Sequence, residues 1–275
     1  MVAARLRAML AEQHAQILRH ERGARLADDP EDLHQVRVAV RRARAILRAV
    51  DRGGWEGLLA ELKWLGGVLG PRRDLDVLLA RLQGQIAELE EPERGAARSL
   101  AGSLEEECGR AQAQVAAALT SDRYAKLLDA LEQCSRALEV ADDLSLTRLA
   151  GREFKRLRKR MNALDAGAAD EELHRARILG KRARYSAELA EADAGKKARR
   201  FIARAKAFQD VLGSHQDAIV AEARLRGLLR ETGGTGAAFA TGRLVERERL
   251  RRREARRALP AAWKKLERRG VRAWS

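Results

Sequence analysis

The chain has 275 residues, of which 55 are Lys or Arg and 40 Asp or Glu, giving a formal charge of +15 and a pI near 10.7. Its usage of Ala, Leu, Arg and Glu, with four prolines and few aromatic or β-branched residues, suits long helices and argues against strands, so the fold class is all-α. The length allows a core to be buried without disulfides or metal, and the positive field selects acidic partners in a salt-dependent way.

In chain order, a first helix is expected over about Ala3 to Leu26. Asp29 or Pro30 starts a second, with Glu31 and Asp32 in its first turn. That helix ends near Asp51, where Gly53 and Gly54 follow. A third runs to Leu69, and Gly70-Pro71 is expected to turn the chain into a fourth that begins with Arg72-Arg73-Asp74-Leu75-Asp76. Two further helices fill Glu93 to Glu139, parted near Thr120-Ser121-Asp122. The pattern recurs after Asp142, with His215-Gln216-Asp217 at the start of its fourth helix. The stretch Gly233-Gly234-Thr235-Gly236 is read as a turn before a last basic helix, Leu244 to Leu259; without a Gly-Lys-Ser/Thr ending it is not a nucleotide-phosphate loop. Met1 to Met9 lead into Glu12, Gln13 and His14 instead of an apolar signal core, and no apolar run is long enough to span a bilayer. A cytoplasmic location is expected. Cys108 and Cys134 lack Cys-x-x-Cys spacing and are expected to be reduced and inert.

The chain repeats itself, and a repeat of this period bears on the whole fold. Leu33-His34-Gln35-Val36-Arg37-Val38-Ala39-Val40-Arg41-Arg42-Ala43-Arg44 aligns with Leu173-His174-Arg175-Ala176-Arg177-Ile178-Leu179-Gly180-Lys181-Arg182-Ala183-Arg184. Downstream, Lys63 to Arg81 matches Lys206 to Arg224, sharing the lysine, a Val-Leu-Gly and an aspartate (Asp74, Asp217). Two matches in one order indicate duplication, with halves at about 1–140 and 141–275.

On a helix, spacings of 3, 4, 3 and 4 stay on one face. His34, Arg37, Arg41, Arg44 and Arg48 have that spacing and fall within about 80° of one another, beside an apolar sector of Val36, Val40, Ala43, Leu47 and Val50. His174, Arg177, Lys181 and Arg184 repeat the stripe, but Glu188 replaces the last arginine. Basic residues usually decorate a solvated face and pair with nearby carboxylates. From His34 to Arg48 there is no acidic residue, so the cations are expected to lack local partners and to repel one another until an anion neutralises them. Each histidine lies near a helix start, where an imidazole either holds the structure or donates to an anion beside free backbone amides. Metal binding is disfavoured, because neither histidine has a second His or carboxylate at i+3 or i+4. Lys63 and Lys206, matched across the repeat, and Arg152, Lys155 and Lys159, on one face of the preceding helix, join the candidate site. The aspartates after Gly70 and Gly213 are expected to cap helix starts or hold arginines, and the run Arg247 to Arg257 to be a solvated face.

The two Leu-His-x-x-Arg segments, the basic pair followed by Ala-Arg, the turn at Leu69 to Asp76, the second Val-Leu-Gly-x-x-x-Asp and the closing Trp263 and Trp274 resemble the CHAD family, the conserved histidine α-helical domain. The resemblance covers nearly the whole chain and is specific in the histidine motifs. It implies one domain of two pseudo-symmetric four-helix bundles, a central basic groove or pore, and non-enzymatic binding of inorganic polyphosphate with targeting to polyphosphate granules. Carried over by position, the contacts are the two stripes; Arg42 and Arg182 match the motif off the stripe. Gly180 inside the second motif helix and Glu188 at its end depart from the pattern and imply weaker binding there. The Glu-x-Glu-x-Lys signature of the triphosphate tunnel domain that some members carry is absent.

Polyphosphate fits the residues independently. A linear polyanion without bases needs many cations and no stacking platforms, and arginine forks bind phosphate oxygens bidentately. Single-strand nucleic-acid binders interleave aromatics with cations, whereas aromatics are 4% of this sequence. Two alternatives stand beside this reading: nonspecific nucleic-acid binding through phosphates, and a phosphohydrolase or phosphotransferase with His34 or His174 as acceptor, for which no accompanying base or metal cluster is visible. No cofactor is expected.

Overall fold

The computed structural model describes residues 1–50, 54–91, 93–165, 167–232 and 234–274, with backbone alone at 231 and 232. Its elements are all helical: α1 (Val2–Leu26), α2 (Pro30–Ala49), α3 (Glu56–Ala87), α4 (Glu93–Leu119), α5 (Asp122–Ala137), α6 (Leu146–Asn162), α7 (Asp170–Leu189), α8 (Glu191–Thr232) and α9 (Thr235–Trp274). They form two compact units, one of residues 1–89 and 101–144, the other of 90–100 and 145–275.

In the first unit, α2 packs on α1 and α3, and α5 on α1 and α3. Asp29 caps α2 by accepting from the Glu31 amide at 2.7 Å, with Pro30 in the first helical position. Leu33, Val36, Val40, Ala43 and Leu47 are all buried on one side of α2, so the apolar sector of the motif helix faces the core. Ser121 caps α5 through the Tyr124 amide, which explains the break between α4 and α5.

The expected turn at Gly70-Pro71 does not occur. Pro71 lies inside the 32-residue helix α3. A proline inside a helix forfeits one i→i−4 hydrogen bond and crowds the carbonyl four residues earlier, and it also crowds the Cβ of the residue before it; that residue here is Gly70, which has no Cβ, so this last cost is reduced. Likewise no helix starts at His215, which lies within α8. The chain instead turns earlier, at Gly195, whose φ of 56° and ψ of −131° interrupt helical geometry in the region where glycine alone is unstrained. The last helix also runs further than expected, from Thr235 through Pro260 to Trp274, with buried Leu259 and Leu266 holding it to the core on either side of the proline. The breaks expected at Gly53 and Gly233 lie outside the described residues.

The second unit closes through α6 on α7, α7 on α8, α8 on α9, and α9 on α6. Its core is aromatic where the sequence is otherwise poor in rings. Phe154 and Trp274 both meet Phe201 edge-on at 5.6 Å between centroids, and Phe208 meets Trp263 at 5.8 Å. Such tilted and edge-on pairs are favoured by the ring quadrupoles.

Candidate functional site

The stripe on α2 forms as the spacing predicts. Arg48 is exposed, and His34, Arg37, Arg41 and Arg44 are half-buried along the flank of the buried apolar face. Gly70 of α3 makes room for it: a methyl there would come within 2.7 Å of Arg37 Nη1, whereas one at Gly66, a turn earlier, would be in ordinary contact 3.9 Å from Arg44 Nη1. These guanidinium groups therefore lie against the α3 backbone. Gly70 thus shapes the candidate site, and local sequence spacing did not signal it.

The expectation that the stripe lacks partners is corrected at Arg37, whose Nη2 lies 3.3 Å from Asp74 Oδ1 on α3. The carboxylate comes from 37 residues away in sequence, so local spacing could not reveal it. Asp76 instead pairs with Arg72 one turn before it. The aspartates thus hold arginines within a helix and cap no helix start. Arg41 and Arg44 make no ion pair among the described residues, and the Nε of each is buried without a hydrogen-bond partner. Burial first, then the charge of Arg48, push the Arg44 pKa below the ordinary guanidinium value. Burial, followed by the Arg73 charge, likewise lowers the pKa of His34, which keeps its imidazole neutral at pH 7 and able to donate one N–H.

The stripe on α7 is less open. The exposed His174 is held through Nδ1 to Gln216 Oε1 of α8 at 3.0 Å, Arg184 Nε lies 3.7 Å from Glu188, and its guanidinium stacks over Tyr185 at 4.7 Å. Lys181 also has a partner. Arg177 is half-buried and makes no ion pair among the described residues. Gly180 sits where a methyl would come within 3.1 Å of Phe208, so its place in the motif helix serves close packing on α8.

Both helix starts are acidic. The first turn of α2 carries Glu31 and Asp32 behind the Asp29 cap, and that of α7 carries Asp170, Glu171 and Glu172, with Glu172 accepting from the Ala169 amide. These carboxylates repel an incoming anion, which leaves the side-chain stripes as the cationic surface.

Lys63 on α3 and Lys206 on α8 are exposed, as are Arg152, Lys155 and Lys159 of α6. The α6 trio lies opposite that helix's buried face of Ala150, Phe154, Leu157 and Met161.

The run Arg247 to Arg257 is only in part a solvated face. Arg252 and Arg256 both bind Asp170 at the start of α7, and the buried His215 places Nε2 3.3 Å from the same carboxylate. One aspartate thereby ties α7, α8 and α9. Against burial, which pushes it up, the hydrogen bonds from Arg256 and Arg252 hold the Asp170 pKa below the ordinary value. For His215, burial outweighs Asp170 and lowers the pKa.

Both cysteines are free and buried, and burial raises the Cys134 thiol to about 11, which makes it a poor nucleophile. Among the described residues no group of three His, Cys, Asp or Glu is placed to hold a metal ion, and no helix is long and apolar enough to cross a membrane.

Comparison with known proteins agrees with this architecture. The chain is 31% identical over 278 aligned positions to the uncharacterized proteins MT2285 and Rv2226 of two Mycobacterium tuberculosis strains, covering 94% of its own length. It spans about half the length (52%) of these curated relatives. Among solved structures it is similar to the CHAD domain from the plant Ricinus communis, with TM-score 0.77, 27% identity, and coverage of 95% of this chain and 91% of the other. PptA from Streptomyces chartreusis shares the fold, with TM-score 0.77, 23% identity, and coverage of 96% and 98%. The CHAD domain model matches residues 8–226, so this chain belongs to the CHAD family.

Proposed function

We propose that this chain is a non-enzymatic receptor for inorganic polyphosphate, acting in the cytoplasm and carried by its ligand to polyphosphate granules. The observation that carries this reading is the pair Arg41 and Arg44: part-buried guanidinium groups that make no ion pair among the described residues, each with a buried, unpartnered Nε, in a five-residue cationic stripe where Asp74 stands beside Arg37. Desolvated cations in one row are unfavourable until an anion supplies the missing charge and acceptors. A polyphosphate supplies both at every repeat. His34 adds a neutral donor at the end of the row, and Arg177, Lys181 and Arg184 offer a second row in the other unit. Lys63, Lys206, Arg152, Lys155 and Lys159 extend the cationic surface as exposed phosphate contacts. The second row binds more weakly, because the Glu188 carboxylate lies 3.7 Å from Arg184 and Gln216 holds His174.

The test is thermal denaturation and calorimetric titration with long-chain polyphosphate at low and moderate salt. A rise in Tm is expected, since a ligand bound only by the folded state stabilises by mass action. The double variant Arg41→Gln with Arg44→Gln should keep its helix content and lose most of the affinity. No stabilisation of the wild type at low salt, or equal displacement by single-stranded RNA at matched phosphate concentration, would overturn the reading.

A further inference from the structure

The second unit carries a cationic surface unrelated to the histidine motifs. On α8, Lys196 to Gln209 contains no acidic residue, and on α9 the segment from Leu259 to Trp274 contains one, Glu267. That carboxylate is occupied by Arg158 Nε of α6 at 2.9 Å. The two basic segments are brought together by the ring contacts of the core. Phe201 meets Trp274, and Phe208, further along α8, meets Trp263, earlier on α9; the helices therefore run antiparallel, with Arg204 opposite the stretch from Arg268 to Arg272.

Arg200 and Arg204 are one turn apart on α8, and Lys265, Arg268, Arg269 and Arg272 follow the 3, 4, 7 spacing of one face on α9. All are exposed except Arg269, which is half-buried between them. None makes an ion pair among the described residues. Desolvation first, and then the charges of Arg200, Arg272, Arg204 and Arg268, lower the Arg269 pKa. At 1.5 Å per residue the α9 row extends about 10 Å, enough for several phosphates of an extended chain.

Taking polyphosphate as the ligand of the stripes, we propose that the face made by Arg200 and Arg204 of α8 with Lys265, Arg268, Arg269 and Arg272 of α9 is an additional phosphate-chain site. It allows one protein molecule to hold more than one polyphosphate strand, and so to cross-link strands. Its α9 row lies beyond residues 8–226 matched by the family model. A phosphate chain is favoured over nucleic acid because the surface offers no stacking platform: Phe201 and Phe208 are buried, and Trp263 and Trp274 are engaged with them.

The experiment is calorimetric titration of the full chain with a short, length-defined polyphosphate, comparing wild type, the patch variant Arg200→Gln/Arg204→Gln/Arg269→Gln/Arg272→Gln, and the stripe variant Arg41→Gln/Arg44→Gln/Arg177→Gln. The wild type is expected to show at least two classes of binding event, of which the patch variant lacks one and the stripe variant retains that one. The retained class should weaken roughly 50-fold for a fourfold rise in salt, as expected for about four neutralised phosphates on a single strand. The corresponding Arg→Lys patch variant should keep the event at lower affinity. If the patch variant matches the wild type in stoichiometry and salt dependence, the inference fails while the polyphosphate reading stands. If the wild type binds no polyphosphate, that reading itself fails. Loss of all binding in the patch variant with helix content intact overturns the independence of the two sites. Displacement of the retained class by single-stranded RNA at lower charge concentration overturns its ligand.

Discussion

Replacing Asp74 by asparagine removes the carboxylate that meets Arg37 of the α2 stripe while keeping side-chain size. Asp74 is 70% exposed and Arg37 23% exposed, with 3.3 Å between them. An ion pair with so exposed a partner is worth roughly 0.2–1 kcal/mol, because water screens the attraction and two side chains are ordered to make it. In the free protein that energy opposes ligand binding: a phosphate approaching Arg37 must displace Asp74 or bind beside a negative charge. Removing the carboxylate should therefore raise polyphosphate affinity by about 1.4- to 5-fold, the equivalent of 0.2–1 kcal/mol, while lowering the stability of the free protein by no more than the same amount. Titration at two salt concentrations, paired with urea denaturation, reads both quantities. The gain in affinity should shrink at high salt. Unchanged or weaker binding by Asp74→Asn would show that Arg37 does not meet the ligand.

Gly270→Ala should destabilise by about 1–3 kcal/mol, since its methyl would intrude on the buried Phe154 ring; this overpacking exceeds the roughly 1 kcal/mol that alanine gains over glycine in a helix. Gly213→Ala, whose methyl would have nothing within 4 Å, should instead be neutral or stabilising, and a lower urea midpoint for the second than for the first would refute the packing argument. The lowered pKa values of His34 and His215 mean that the unfolded chain protonates near the ordinary value of 6.5 while the folded protein stays neutral. Stability should thus fall as pH drops below about 6.5 and level off below the folded-state values. His215→Gln and His34→Gln should each flatten part of that decline in urea titrations across pH, and an undiminished slope in both would sink the assignment. The lowered pKa of Asp170 acts in a separate window: its contribution is present above the ordinary carboxylate value near 3.8 and is lost as pH falls through the folded value.

The helices and the motif faces were legible because they depend on local spacing. The 3, 4, 3, 4 pattern put His34 through Arg48 on one side of α2 and Val36, Val40 and Ala43 in the core, and Asp29-Pro30 announced where that helix begins. Gly70-Pro71 misled, because the local cost of proline in a helix is lower after a residue without a Cβ, and packing along α3 then favours continuity. The Arg247 to Arg257 run misled for another reason. Its density of charge suggested a solvated face, yet Arg252 and Arg256 find Asp170 more than 80 residues away, at the start of another helix.

The sequence by itself determined the all-helical class, the duplicated histidine motif and the surplus of positive charge, since periodicity, repetition and composition are properties of the chain alone. Tertiary structure decided which cations are already neutralised. Arg37 meets Asp74 and Arg184 lies beside Glu188, whereas Arg41 and Arg44 make no ion pair among the described residues and keep buried, unpartnered Nε atoms. It also set Arg200 and Arg204 against the arginines of α9. Charge interactions fall off with distance in space and not along the sequence, so an arginine's availability to a ligand is fixed only when distant helices pack.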